Sequence, residues 1–190
     1  VSGQLDRNLM VGFNRRFAPM AKKTKDYLEG RVGPLSIIVT INAGFTPRDH
    51  WTQEPSIGGG RIIGEACHWI DLARFLIGRE ISKVKVLTAF DRAEQPMEDI
   101  AHLSMQFRDG STAVIHYLSN GARTLPKERV ECFWESKTLV IDNWRRLRLH
   151  GIRAPFLKWP SRLDKGHSAE VEAWLAAIRA GSPSPIPLDE

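Results

Sequence analysis

Cysteine is scarce in this sequence of 190 residues, which contains only Cys67 and Cys132. Two distant thiols provide neither the framework of a disulfide-stabilised secreted domain nor a CxxC metal pair. We therefore interpret both as small buried hydrophobic residues.

Long hydrophobic runs are also absent. The longest, residues 37–41, contains Thr40 and is far shorter than the roughly 20 apolar residues that a helix needs to cross a bilayer. The first residues lack the basic, apolar and small-residue layout of a secretion signal. These absences predict a cytoplasmic protein with no membrane partner.

An excess of one charge sign is present but small, because 27 basic and 22 acidic residues give a net charge of +5. No helix-turn-helix, zinc-finger or RNP pattern accompanies this excess, so we expect no nucleic-acid partner. The local basic clusters are short: Lys22, Lys23 and Lys25, and Arg145, Arg146 and Arg148.

What the chain does contain is typical of a soluble globular protein, with 42% hydrophobic and 26% charged residues. This length accommodates one hydrophobic core. We predict a single domain over residues 1–190.

The most informative stretch runs from Ile57 to Asp71. Its three consecutive glycines, residues 58–60, allow positive φ values and a close approach of the backbone to a ligand or another strand. A largely apolar helix is predicted from Glu65 to Ile77, with Glu65 and His68 on one face. A buried histidine is either a hydrogen-bonded core residue or a catalytic group, and the helix alone leaves both interpretations open.

Elsewhere, period-two alternation predicts about seven strands joined mainly by hairpins. The predicted fold is α+β: an open, mainly antiparallel sheet with helices on one face. We also expect an opening strand at residues 9–13 and a helix over residues 18–28. A last helix over residues 168–180 carries an apolar stripe that predicts a role in the core: Val171, Trp174, Leu175 and Ile178.

The loop between residues 43 and 56 is rich in hydrogen-bonding groups and follows a predicted central strand. Loops held by a rigid scaffold commonly carry binding groups. We therefore take Asp49, His50 and Trp51 as candidate substrate contacts.

Several motifs together resemble the C-terminal domain of the glucose-fructose oxidoreductase / inositol dehydrogenase / rhizopine-catabolism (Gfo/Idh/MocA) family. The resemblance covers nearly the whole chain and rests on the order and spacing of these motifs: residues 11–19, 49–51, 58–71 and 164–167, with the prolines of residues 183–187. It implies an NAD- or NADP-dependent oxidoreductase acting on a sugar, cyclitol or related polyol.

The resemblance also implies roles for single residues. His68 matches the active-site histidine of the family, and the aspartate often found four residues earlier is Gly64 here, with Glu65 one residue later. Arg61 is implied as a substrate-binding residue. The segment that opens the resemblance implies cofactor contacts for Asn14 and Arg16.

Two expected parts of such an enzyme are missing from this sequence. The fingerprint GxGxxG fails at residues 58–63 because Ile63 occupies the final glycine position, and the family's Glu-Lys-Pro motif is absent. We therefore expect the N-terminal Rossmann domain to be absent from this chain. On its own the chain should neither bind NAD(P) nor turn over substrate.

Two other classes of function remain open. One is a non-catalytic ligand-binding or assembly module, for which the open sheet predicts a homodimer or tetramer. The other is a metal enzyme using Glu65-x-x-His68, but di-metal bundle sites need two such motifs and the chain has one. We therefore predict no metal site.

Overall fold

A computed structural model describes residues 9–47, 49–54, 56–89, 99–153 and 162–188. It has a seven-stranded sheet, whose strands have these bounds: β1 (Ser36–Asn42), β2 (Ile81–Thr88), β3 (Ala101–Phe107), β4 (Thr112–Leu118), β5 (Glu128–Trp134), β6 (Lys137–Asp142) and β7 (Arg146–His150). The strands lie in the order β2-β3-β4-β1-β5-β6-β7. Only β1 and β4 pair in parallel, so the predicted open, mainly antiparallel sheet is confirmed.

The two faces of the sheet differ in burial because side chains alternate along each strand. In β1, Ile37, Val39 and Ile41 are buried on the helix-covered face, whereas Ser36 and Ile38 are exposed on the other. The same alternation runs through β3, β4 and β5. Burial of the apolar half drives the helices onto one face and leaves the other open.

In the described part of the chain, three α-helices accompany the sheet: α1 (Pro19–Leu28), α2 (Cys67–Ile77) and α3 (His167–Ala180). Proline opens α1, where its missing N–H costs nothing, and Gly78 ends α2 with φ of 70°. The most buried large residues of α2 are Trp69, Leu72 and Leu76. Within the described residues, no helix is long and apolar enough to cross a membrane.

The predicted opening strand is wrong. Residues 9–13 have no regular structure, and Asn14–Phe17 forms a short 3-10 helix. Leu9 and Val11 are about half exposed, so the apolar run does not reach the core. A strand also needs a neighbour to satisfy its backbone, and this segment pairs with none of the described strands.

The predicted core role of the α3 stripe is also wrong. Val171 is 52% exposed, Leu175 37% and Ile178 38%. The helix packs against the Asn14–Phe17 turn, and the buried side chain it contributes is that of Glu170. The periodicity identified the helix correctly but not the partner of its apolar face.

Candidate active site around Glu65 and His68

The glycine turn before α2 packs tightly against the preceding loop. A Cβ on Gly58 would lie 2.5 Å from the Cα of Thr52, so only glycine fits there without moving the backbone. Gly59 and Gly60 have φ values of 65° and 87°, as the sequence predicted. The turn therefore fixes the start of the following helix against the residue 51–53 turn.

The helix begins with a π-helical turn, Ile62–Ala66, which leads directly into α2. Turns of this kind occur often at functional sites because they place side chains that an α-helix would not. Glu65 lies in this turn, and His68 lies in the first turn of α2. The expected helix is thus confirmed, but its first turn is π-helical, which the sequence did not indicate.

Glu65 is surrounded by three donors. Its carboxylate accepts hydrogen bonds from Lys127, from the Tyr117 hydroxyl and, at 3.3 Å, from Arg61. Burial alone would raise the pKa of Glu65, but the bonds from Lys127 and Tyr117 outweigh it and lower the pKa. Burial and the bond to Glu65 raise the pKa of the Tyr117 hydroxyl. Glu65 is therefore ionised and Tyr117 neutral near neutral pH.

His68 is half-buried, one helical turn after Glu65. Burial lowers the pKa of its imidazole to about 4, and the nearby Arg15 acts in the same direction. Its Nδ1 is buried with no hydrogen-bond partner among the described residues. The ring of Phe13 meets it edge-on, with 5.8 Å between centroids. This neutral imidazole lacks the hydrogen bond that a purely structural histidine would make there.

A buried ionic cluster lies beside His68. Glu128, at the start of β5, accepts two hydrogen bonds from Arg15 at 3.0 and 3.1 Å. Lys165 donates to it at 2.6 Å, and the indole N–H of Trp144 donates to it at 2.5 Å. Burial would raise the pKa of Glu128, but Arg15 and Lys165 hold it at about 2. The Arg15 guanidinium also lies 4.2 Å over the ring of Trp69, so the cluster braces the residue that follows His68.

The two candidate cofactor residues are buried near this cluster. Asn14 Nδ2 donates to the Lys165 carbonyl at 2.7 Å. Arg16 pairs through two nitrogens with Asp71 on α2. These contacts connect the 3-10 turn to α2 and to the segment before α3, and any cofactor contact by these side chains stays a prediction.

The candidate substrate residues divide into two groups. Arg61 is buried beside Glu65 and donates to the carbonyls of Gly44 at 2.7 Å and Ala43 at 3.2 Å. Asp49, His50 and Trp51 are exposed on the preceding loop. There the His50 ring bonds to Thr52 at 2.8 Å and lies 5.9 Å from the Trp51 ring.

An open groove of about 560 Å³ adjoins Glu65. One wall is residues 42–45, after β1, and the other is residues 123–127 of the β4–β5 loop together with Asn143. Lys127 lines the groove and bonds to Glu65, and the Gly44 carbonyl in the first wall accepts from Arg61. The groove and the Glu65 cluster therefore share Lys127, and Arg61 of the cluster bonds to the groove wall.

Sequence reasoning did not identify Tyr117, Lys127 or Glu128. Tyr117 occupies a core-facing position of β4, where its hydroxyl needs a partner, and this was the available signal. Lys127 and Glu128 lie far from Glu65 and Arg15 along the chain, and only the sheet register brings them together. Within the described ranges, no group of three or more His, Cys, Asp or Glu residues could hold a metal ion.

The open, mainly antiparallel sheet with helices on one face, and His68 on a helix one turn after Glu65, agree with the resemblance seen in the sequence. A profile of the GFO/IDH/MocA C-terminal domain matches residues 23–139, more than half of the chain. The chain belongs to the GFO/IDH/MocA family.

Curated GFO/IDH/MocA relatives include enzymes named as oxidoreductases and inositol dehydrogenases. The chain is 31% identical over 155 residues to the uncharacterised oxidoreductase YrbE of Bacillus subtilis, covering 78% of this chain and 44% of that protein. It is 28% identical to the inositol 2-dehydrogenase of Rhizobium meliloti, covering 92% of this chain and 56% of that protein. The chain thus spans about half the length of these relatives.

Solved structures agree on the fold. The aldose-aldose oxidoreductase of Caulobacter crescentus, complexed with glycerol, superposes with a TM-score of 0.78 at 20% identity. The match covers 98% of this chain and 58% of that one. The seven-stranded sheet with its helices is therefore the C-terminal architecture of the GFO/IDH/MocA dehydrogenases.

Proposed function

We propose that this chain is the substrate-binding and oligomerisation domain of an NAD(P)-dependent oxidoreductase that acts on a sugar, cyclitol or related polyol. The observation that carries the proposal is the pair formed by ionised Glu65 and neutral His68, whose buried Nδ1 has no partner among the described residues. The named activities of the curated relatives support the reaction class.

Oxidation of an alcohol removes a hydride from carbon and a proton from oxygen. A nicotinamide cofactor accepts the hydride in such a reaction. The described part of this chain contains no glycine-rich phosphate turn between a strand and a helix, so we assign cofactor binding to a further domain and expect none by this chain alone.

The residues of this chain would handle the proton. His68 is neutral at physiological pH and can accept the hydroxyl proton. The negative charge of Glu65 stabilises the imidazolium that results, and Lys127, Tyr117 and Arg61 keep that charge in place. Glu65 thereby orients and charges the site.

Replacement of His68 by Asn in the intact two-domain protein tests this role. We expect kcat to fall by roughly 10²-fold or more, the usual scale for one acid–base group, with nearly unchanged cofactor affinity. Glu65→Gln should have a smaller effect. His150→Asn, which removes an exposed histidine on β7, is the matched control. Near-normal kcat in His68→Asn would return His68 to a structural role.

The open sheet face supports the oligomerisation role. Its exposed and half-exposed side chains include Ile38, Val114 and Phe133, which lie on three adjacent strands. An apolar centre on an otherwise polar face is a suitable contact surface, and twofold pairing of identical faces is the commonest assembly of soluble homo-oligomers. If His68 proves dispensable, a non-catalytic assembly module is the remaining function.

The stripe on α3 supports contact with a further domain. Val171, Leu175 and Ile178 are partly exposed on the helix that packs against the Asn14–Phe17 turn. The curated relatives are about twice as long as this chain, so they contain additional protein that could cover such a surface. We assign this face to the Rossmann domain.

A further inference from the structure

In the groove beside Glu65, the wall formed by the β4–β5 loop is held in place by hydrogen bonds. Asn42, at the end of β1, donates from Nδ2 to the carbonyls of Ala122 at 2.8 Å and Leu125 at 3.1 Å. A Cβ on Gly121 would lie 2.0 Å from Asn42 Oδ1, so any other residue there would displace the Asn42 amide that holds the loop. These contacts anchor the residue 119–127 loop on both sides of Arg123.

The charge of the groove is of one sign. Arg123 and Lys127 are the ionisable residues that line it, and no carboxylate is among its described lining residues. The charge of Lys127 is balanced by Glu65, with which it forms an ion pair. Arg123 is exposed, and no ion pair with a described carboxylate balances its guanidinium.

We propose that this groove is a subsite for an anionic group of the substrate, a carboxylate or a phosphate carried by the sugar or polyol. Arg123 binds the anion through its planar guanidinium, which matches either group with paired hydrogen bonds. The neutral, hydroxyl-bearing part of the same molecule extends past Lys127 toward Glu65 and His68. The inference rests on the proposed function, and it makes an acidic sugar a better substrate than a neutral cyclitol.

The anchored loop explains why an exposed arginine can select a ligand. A mobile arginine gains little from one anion, because ordering its side chain and its backbone costs entropy. Here Asn42 already holds the backbone on both sides of Arg123, so binding need not order the backbone and loses less entropy. Specificity then comes from the charge that a neutral polyol lacks.

The test is a nuclear magnetic resonance titration of this 190-residue chain with D-glucuronate, D-glucose and D-glucose 6-phosphate. We expect the two anions to shift the amide signals of residues 119–127 and to bind roughly tenfold or more tightly than glucose. Arg123→Gln should remove that preference. Arg108→Gln should preserve it, because this exposed arginine lies at the opposite end of the sheet and pairs with Glu80.

The outcomes separate the two proposals. Equal affinity for glucose and both anions, or an anion preference that survives in Arg123→Gln, would overturn the subsite. Inorganic phosphate binding as tightly as the sugar anions would also overturn it, because the sugar would then make no contact. A preference for one anion identifies carboxylate or phosphate as the recognised group. Turnover of the His68→Asn enzyme tests the catalytic proposal independently, since this titration involves no reaction.

Discussion

At the scale of single residues, Glu128 shows how the protein holds a charged group in its interior. Its side chain has no solvent exposure, yet the carboxylate is ionised. Arg15, Lys165 and the Trp144 indole supply the donors that make this possible. Removal of an isolated carboxylate from water is costly, so the four groups stabilise the fold only as a complete set.

We therefore expect Glu128→Gln to be strongly destabilising. The variant leaves the buried Arg15 and the partly exposed Lys165 without their counter-charge, and breaking a buried ion pair typically costs about 3–5 kcal/mol of unfolding free energy. Urea denaturation of this chain measures the loss. Glu131→Gln is the matched control, because Glu131 lies in the same strand but pairs with a partly exposed Arg129, and it should cost less than about 1 kcal/mol. A loss in Glu128→Gln as small as that in Glu131→Gln would show that the cations tolerate the loss of their buried counter-charge.

The depressed pKa of His68 predicts a pH dependence of stability. The neutral imidazole is favoured in the folded state, with a pKa of about 4 against 6.5 in the unfolded chain. The contribution of this neutral imidazole to the free energy of unfolding is complete above pH 6.5 and is lost as the pH falls toward 4. Because His68 is partly exposed, this contribution is limited to about 1–2 kcal/mol. Denaturation at pH 7 and pH 4 should show a smaller change for His68→Asn than for the wild type. His150→Asn should follow the wild type, and parallel behaviour of all three proteins would contradict the prediction.

At the scale of elements, α3 is a helix whose apolar side packs only partly against the described structure. Substitution of Leu175 by Glu in this chain should therefore change the unfolding free energy by less than about 0.5 kcal/mol. Leu76→Ala, at a position of α2 that is 1% exposed, should cost about 2–5 kcal/mol. Urea denaturation compares the two variants. A large loss in Leu175→Glu would restore the core role that the sequence predicted.

The strands after α2 were predictable because one covered face imposes a period of two, and Ala101, Leu103 and Met105 of β3 display it plainly. The run at residues 9–13 has the composition of a strand but lacks a partner, and composition cannot supply one. The closeness of Glu65, in the π-helical turn, to His68, in the first turn of α2, followed from their spacing of three residues along a helix. Tyr117 and Lys127 were not identified, because their contacts with Glu65 depend on tertiary structure that no local pattern encodes.

At the scale of the whole molecule, the open sheet face should determine the oligomeric state. Val114 lies beside Ile38 near the centre of this face, so Val114→Lys would bury a charge if two copies pack there. We expect the wild-type chain to sediment as a dimer at high concentration and the variant as a monomer.

Val84→Lys is the matched control for this experiment. Val84 is 52% exposed on the edge strand β2, but its side chain lies on the helix-bearing side of the sheet, level with Met105. The control should remain dimeric. A monomeric wild type, or a dimer that tolerates Val114→Lys, would show that this face is not the contact.

The position of β1 has a consequence for the order in which the protein can form during synthesis. The β3–β4 hairpin and the β5–β6–β7 meander can each assemble from neighbouring residues, but β1 must wait for partners such as Thr112, which follows Ser36 by 76 residues. Its other edge waits for β5, still later in the chain. Until the ribosome has released β5, an apolar strand has an unpaired edge, the kind of surface that promotes aggregation. Nascent chains that stall between β4 and β5 should therefore depend most on chaperones.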